Sequence, residues 1–342
     1  MYSVIFATKL IELNFTLKVT LLLLLIVFAF VLNLNEGNSN VTLWDYSNNE
    51  ITQNLILNYR LPKTIATILV GISLPLSGLM LQELFRNPLA DPSVLGISSA
   101  SGLGVAIVIF LSSILGFTGF LNSAWLLCVS AMMGAGLALL LIMYFSSKIN
   151  STSALIVIGF MIAGFSSALI GVMQFFAPSE KIKSYLIWSF GSISGLSWEQ
   201  IGVFFSLTLI GILISIFSLK GIAGLRLGEN YAHSMGINVK QTRWLILLST
   251  AILTATATAF VGPIAFIGLA VPHICRMIFK EMNVIKLYVL VCLVGILLML
   301  IFSWIAQLFP TGSLPINIIT SLIGAPIVIS IIWQQFKNRM YD

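Results

Sequence analysis

Apolar runs of close to twenty residues, almost free of charge, recur along the whole of this 342-residue chain. Such a run matches the length a helix needs to cross about 30 Å of hydrocarbon. A soluble domain needs roughly a quarter of its residues charged to keep its surface wet. Here only 8% are charged and 58% are apolar, so lipid is the solvent. Membrane β-strands would appear as alternating segments of about ten residues, and no such alternation is visible. Helices also satisfy their own backbone polar groups, which lipid cannot do. The expected fold class is all-α and transmembrane, in one membrane unit covering 1–342.

Ten spans are expected, at roughly 17–34, 63–83, 94–115, 123–146, 153–176, 198–219, 244–261, 263–279, 285–308 and 315–336. The seventh and eighth almost touch at Gly262-Pro263, and a nine-span reading would merge or drop one. Lys9 and Lys18 precede Leu21–Leu25 as they would in a signal peptide. No small-residue cleavage site follows Leu34, so this stretch reads as a retained first helix.

Charge orients the chain. With the N-terminus inside, the cytoplasmic side receives Lys9, Lys18, Arg86, Lys148, Lys220, Arg226, Lys240, Arg243, Arg276, Lys280, Lys286, Lys337 and Arg339. The outside receives Arg60, Lys63, Lys181 and Lys183. Thirteen against four is the positive-inside bias of a multi-pass protein of the cell (cytoplasmic) membrane with both termini cytoplasmic. The net charge of +6 is this excess facing anionic lipid and partners, and needs no nucleic acid.

Two segments are neither span nor short turn. One, about 35–62, lies outside. The other, about 220–243, lies inside, and its helix formers between Gly228 and Gly236 predict a short surface helix. Gly71, Gly78, Gly104, Gly134, Gly136, Gly159, Gly164 and Gly171 sit within spans, where small residues let helices approach. The alternative is a small-residue passage for a bulky solute. Cys128, Cys275 and Cys292 lie in apolar stretches without C-x-x-C spacing, so they read as packed core residues, with no metal, cofactor or disulfide expected.

Ionisable groups inside a bilayer usually mark an ion path. Here all eleven acids fall in loops, tails or helix ends, Glu83 being the nearest to a span. The chain also lacks a G-x-x-x-x-G-K-[ST] phosphate loop. It has no coupling group and no nucleotide site, which points to a pore subunit driven by a separate ATPase, without catalysis of its own.

Three blocks in the first half carry a resemblance: Arg60-Leu-Pro-Lys63, Gly78-Leu-Met-Leu-Gln82 and Phe85-Arg-Asn-Pro-Leu-Ala-Asp-Pro92 with Leu95-Gly96. The second half adds Leu227-Gly-Glu229, Met235-Gly-Ile237, the run from Gly262 to Arg276, Leu314-Pro315 and Gly324-Ala-Pro326. Together they resemble the permease family of iron–siderophore, haem and cobalamin ABC importers (FecCD-like, type II), over about residues 50–335. The resemblance implies ten spans per subunit, two permease subunits per pore, two cytoplasmic ABC ATPases and an extracellular solute-binding (lipo)protein. It implies ATPase coupling at Gly228, Glu229, Ala232, His233 and Gly236. It implies a cytoplasmic gate at Asn87 and Leu89, with Ser151, Thr152 and Ser153. It implies binding-protein docking at Arg60 and Lys63. Bland readings stand beside these: a turn and cap at Asn87-Pro88, a helix N-cap at Ser151–Ser153, and interface anchoring by Arg60 and Lys63.

The chain departs from the family where an Asp and an Arg are common near the end of the ninth span. Those positions are Ser303 and Gln307, and Asn317 replaces a common Gly. A missing outer Arg favours a heterodimer with a more typical subunit over a homodimer. The expected function is uptake of an iron–siderophore-type chelate. Haem or cobalamin uptake is the alternative within the family, and an ion-coupled secondary carrier or a membrane scaffold outside it.

Overall fold

The computed structural model describes residues 14–35, 43, 50–114, 124–149, 152–281, 283–309 and 313–341. Among these the regular elements are all helical. They are α1 (Phe15–Asn35), α2 (Glu50–Leu55), α3 (Leu61–Phe85), α4 (Ile97–Ile114), α5 (Ala124–Lys148), α6 (Thr152–Phe176) and α7 (Ser179–Ser189). The chain continues through α8 (Trp198–Leu227), α9 (Glu229–Ser234), α10 (Val239–Val261), α11 (Ile267–Phe279), α12 (Val284–Gln307) and α13 (Ile316–Tyr341). Seven helical runs are long and apolar enough to cross a membrane, and α4, α11 and α13 hold shorter apolar stretches. These are the ten segments that hydropathy marks.

Several boundaries move. A wide turn at Ile56–Arg60 carries α2 straight into α3, so one helical run extends over Glu50–Phe85. The outer segment expected over 35–62 is therefore helical in its second half. Likewise α8 continues to Leu227 rather than stopping at 219. Hydropathy ends a span where polar residues begin, but backbone hydrogen bonding does not.

The break at Gly262-Pro263 is real, and it shortens the following helix. α11 has 13 residues, about 20 Å at 1.5 Å per residue. That is less than the roughly 30 Å of hydrocarbon. Irregular backbone at membrane depth is tolerated only where protein covers it. Here Ser192 N donates to Val261 O at 2.7 Å, and Ala265 N donates to the Asn317 side chain at 3.0 Å. Asn317, one of the departures from the family pattern, thus satisfies an amide that the break leaves over.

The centre of the bundle is α3 and α10, in which most residues are buried. α3 packs on α8, α10, α11 and α12, and α10 also packs on α4 and α5. Glycines set the closest approaches: a Cβ on Gly78 would lie 1.7 Å from Gly268 O, and one on Gly71 2.8 Å from Gly295 O. Gly104, Gly134 and Gly159 are similarly filled against neighbouring backbone, whereas Gly136, Gly164 and Gly171 face open space. Buried hydroxyls turn to helix carbonyls, as at Ser77 to Ser73 O (2.7 Å) and Ser249 to Gly211 O (2.8 Å). This is how polar side chains are satisfied away from water.

Candidate functional site at the α9 end of the bundle

The last turn of α8 runs through Gly228 into α9, and Gly236 ends the excursion. Both glycines hold positive φ, 125° and 74°, where a side chain would be strained. The six-residue α9 is not a loose flap. Ala232 is fully buried, and Ile237 N donates to Ala232 O at 3.0 Å. The missing Cβ of Gly224 leaves the space that Ile237 and Ala232 occupy, since a Cβ there would lie 2.2 Å from Ile237 Cδ1. Glu229 reaches Arg243 of α10 at 3.2 Å. The outer side of this corner exposes Leu227, Tyr231 and Met235, together with His233 and Glu229. Of the residues singled out here by sequence, Ala232 therefore holds α9 to the bundle. Glu229 and His233 face outward.

A second surface lies where α3 ends. Arg86 takes a left-handed conformation (φ 48°) and stops the helix. Asn87 Oδ1 then accepts from Leu89 N at 3.0 Å, closing a turn. Asp91 caps a 3-10 turn at Pro92–Leu95 by accepting from Ser93 N at 3.0 Å. Burial pushes the Asp91 carboxyl above its usual range, the Ser93 hydrogen bonds opposing this. The 3-10 turn packs on α6, where a Cβ on Gly159 would lie 2.3 Å from Val94 O. Thr152 begins α6, Ser153 is exposed in its first turn, and Ser151 lies outside the described residues.

Between these two surfaces is a group that the sequence does not announce. The Glu83 side chain, 10% exposed, accepts from Arg226 Nε at 2.6 Å and from Arg226 Nη2 at 2.5 Å. It also accepts from Arg276 Nη2 at 2.9 Å, while Arg276 Nη1 donates to Gln82 Oε1 at 2.6 Å. Arg86 Nη2 donates to Leu225 O. An open cavity of about 580 Å³ is lined by Gln82, Glu83, Arg86, Asn87, Arg226, Arg276 and others. Glu83 is visible in the sequence only as the acid nearest a span. Its partners lie 143 and 193 residues away, a separation that leaves no local signal.

At the opposite end, Arg60 and Lys63 part company. Arg60 is 6% exposed, and its guanidinium donates to Leu34 O at 2.8 Å and Asn35 O at 2.9 Å. The carbonyl end of α1 is the negative pole of its dipole and draws the cation inward. The guanidinium of Arg60 is thereby turned toward α1. Lys63 is half-buried and lines a small cavity of about 150 Å³ with Ser192, Ser194 and Ser303. Gln307 Nε2 donates to Ser303 O (3.0 Å) and to Asn33 Oδ1 (3.3 Å), and Asn33 Nδ2 donates to Leu300 O (2.8 Å). Gln307 thus ties α12 to α1. The three cysteines are unpaired, and among the described residues no cluster of His, Cys, Asp or Glu could hold a metal ion.

Residues 20–334 match the model of the FecCD transport family. The hemin transport system permease protein HmuU of Yersinia pestis is 33% identical over 306 residues, covering 87% of this chain and 89% of that one. The vitamin B12 import system permease protein BtuC of Vibrio cholerae is 34% identical, covering 84% and 85%. The molybdate import system permease protein MolB of Haemophilus influenzae is 33% identical, covering 85% of each. Among solved structures, a transporter assigned to the metal-chelate ABC type, in an inward-facing conformation, superposes with a TM-score of 0.82. It is 32% identical, covering 92% of this chain and 98% of that one. With its all-helical bundle and a family match over nearly its whole length, this chain belongs to the FecCD transport family and is a permease subunit of an ABC importer.

Proposed function

We propose that this permease carries an iron(III)–siderophore-type chelate inward across the cell membrane, driven by ATP hydrolysis on partner ATPases. The observation that carries the reading of its mechanism is the α9 corner. A short helix is packed rigidly onto α8 through Ala232 and Gly224, yet exposes Leu227, Tyr231 and Met235. A helix with exposed apolar anchors suits a groove on a partner. In this reading α9, bounded by Gly228 and Gly236, meets the ATPase on the cytoplasmic side. Asn87 and Leu89, with Ser151, Thr152 and Ser153, form the inner gate. Both termini are cytoplasmic, in keeping with the distribution of Lys and Arg.

On the outer side Arg60 and Lys63 are the docking cations for an extracellular binding protein, Lys63 being the more exposed of the two. Gln307 and Ser303 add no charge there. This supports pairing with a second, different permease chain that supplies the missing cation. The empty membrane interior disfavours an ion-coupled carrier.

The cargo class is supported by relatives named for iron chelatin in Helicobacter pylori, 34% identical, and for hemin in Yersinia pestis. The test is growth of a deletion strain on single iron sources, with uptake followed in the presence and absence of ATP. Restoration by ferric siderophores supports the proposal. Restoration by haem alone, or a requirement met only by cobalamin, refutes the cargo. Uptake that survives inactivation of the partner ATPase refutes the mechanism.

A further inference from the structure

We infer that Glu83 is the positioning residue that links α9 to the loop after α3, so that a displacement at one is delivered to the other. The inference rests on the reading of α9 as the ATPase contact and of the 86–92 loop as the gate. Two sets of contacts build the link. On the first side, α9 cannot move freely about Gly228, because Ala232 and Ile237 pack against Gly224 in the last turns of α8. A push on α9 therefore moves the end of α8. On the second side, that end is held by the end of α3 at two adjacent residues. Arg226 makes a two-pronged contact with Glu83, and Leu225 O accepts from Arg86.

Two parallel charge-assisted bonds resist rotation as well as separation, unlike a single contact. Glu83 lies three residues before Arg86, where the helix stops and the loop begins. The loop then has its own internal bonds, from Asn87 to Leu89 and from Asp91 to Ser93, so it moves as a piece. Arg276 supplies a third arm, bringing α11 to the same carboxylate. That arm comes from α11, which is part of neither α9 nor the loop. Its role is to anchor the carboxylate; the displacement itself travels through Arg226.

The test uses the assembled importer, with partner permease and ATPases, in lipid nanodiscs. Cys128, Cys275 and Cys292 are replaced by alanine, and spin labels are attached to this chain alone. One pair joins Ser234, exposed on α9, to Ser194 at the opposite end, and another joins Leu89 on the loop to Ser194. Distances are measured without nucleotide and with ATP and vanadate. In the parent protein both distances should shift. In Glu83→Gln and in Arg226→Gln the Ser234 distance should still shift while the Leu89 shift is reduced, the bond from Arg86 to Leu225 O being the contact that is left. Glu83→Asp should recover part of it. Arg276→Gln should keep both shifts.

An undiminished Leu89 shift in Arg226→Gln overturns the proposal, as does a reduced one in Arg276→Gln with Arg226 intact. If Glu83→Gln does not assemble, Arg226→Gln decides, since it leaves the Glu83 carboxylate its contact with Arg276, whereas Glu83→Gln takes the carboxylate from two guanidiniums at once. Absence of a Ser234 shift in the parent protein overturns the α9 reading itself, and is thereby distinguishable from failure of the Glu83 link.

Discussion

Substituting Gly78 with alanine tests the tightest contact in the bundle. The new Cβ would sit 1.7 Å from Gly268 O, 2.4 Å from its carbonyl carbon and 2.8 Å from its Cα. Ordinary van der Waals contact begins at 3.4 Å. The obstacle is backbone, so no rotamer change relieves it and α3 and α11 must separate by more than an ångström. Overpacking of a rigid core costs about 1–3 kcal/mol, occasionally more, and here the upper end applies. At roughly 2 °C per kcal/mol for a large domain, the melting temperature should fall by about 6 °C. The control is Gly171→Ala, whose Cβ would meet nothing within 4 Å. There the gain in helix propensity, up to about 1 kcal/mol, should leave stability unchanged or slightly raised. Thermal unfolding of the purified protein in detergent, followed by size-exclusion fluorescence, reads both. Equal melting temperatures for the two variants would refute the packing argument, because they would mean that α3 and α11 are not in backbone contact.

Arg60→Ala should lower stability by about 2–4 kcal/mol, since two charge-assisted bonds to α1 are lost. Lys63→Ala, at a half-buried position, should cost less, about 1 kcal/mol; a reversed order in a melting experiment would argue against the inward role of Arg60. Lys63→Glu should instead weaken binding-protein affinity, and less so at high salt; titration of the reconstituted importer checks this. Gly236→Pro should abolish transport with normal membrane insertion, because proline cannot adopt the positive φ of 74°; wild-type uptake would sink the α9 assignment. Burial raises the folded pKa of Asp91. Its contribution to stability is therefore full below about pH 4 and is lost as pH rises through the raised folded value. Asp91→Asn should flatten that part of a pH series of melting temperatures, and an unchanged slope would exclude Asp91 as its source.

The sequence determined the solvent, the fold class and the number of apolar segments. Those follow from transfer free energies that add up locally along the chain, residue by residue. It also located the break at Gly262-Pro263 and the glycines on either side of α9, because proline and glycine act on their own backbone. The turn at Asn87 was legible for a similar reason: its side chain accepts from Leu89 N, two residues on. What only the tertiary structure decided is where each side chain finds its partner. Gly78 and Gly171 look alike in the sequence, yet one faces backbone and the other faces open space. Arg60 and Lys63 share one motif, but the carbonyl end of α1 takes only the first. Glu83 looks like a stray acid at a helix end until the fold brings two arginines from distant helices onto its carboxylate. Electrostatic and steric contacts of this kind depend on which helices lie side by side, and hydropathy, which treats each helix alone, carries no record of its neighbours.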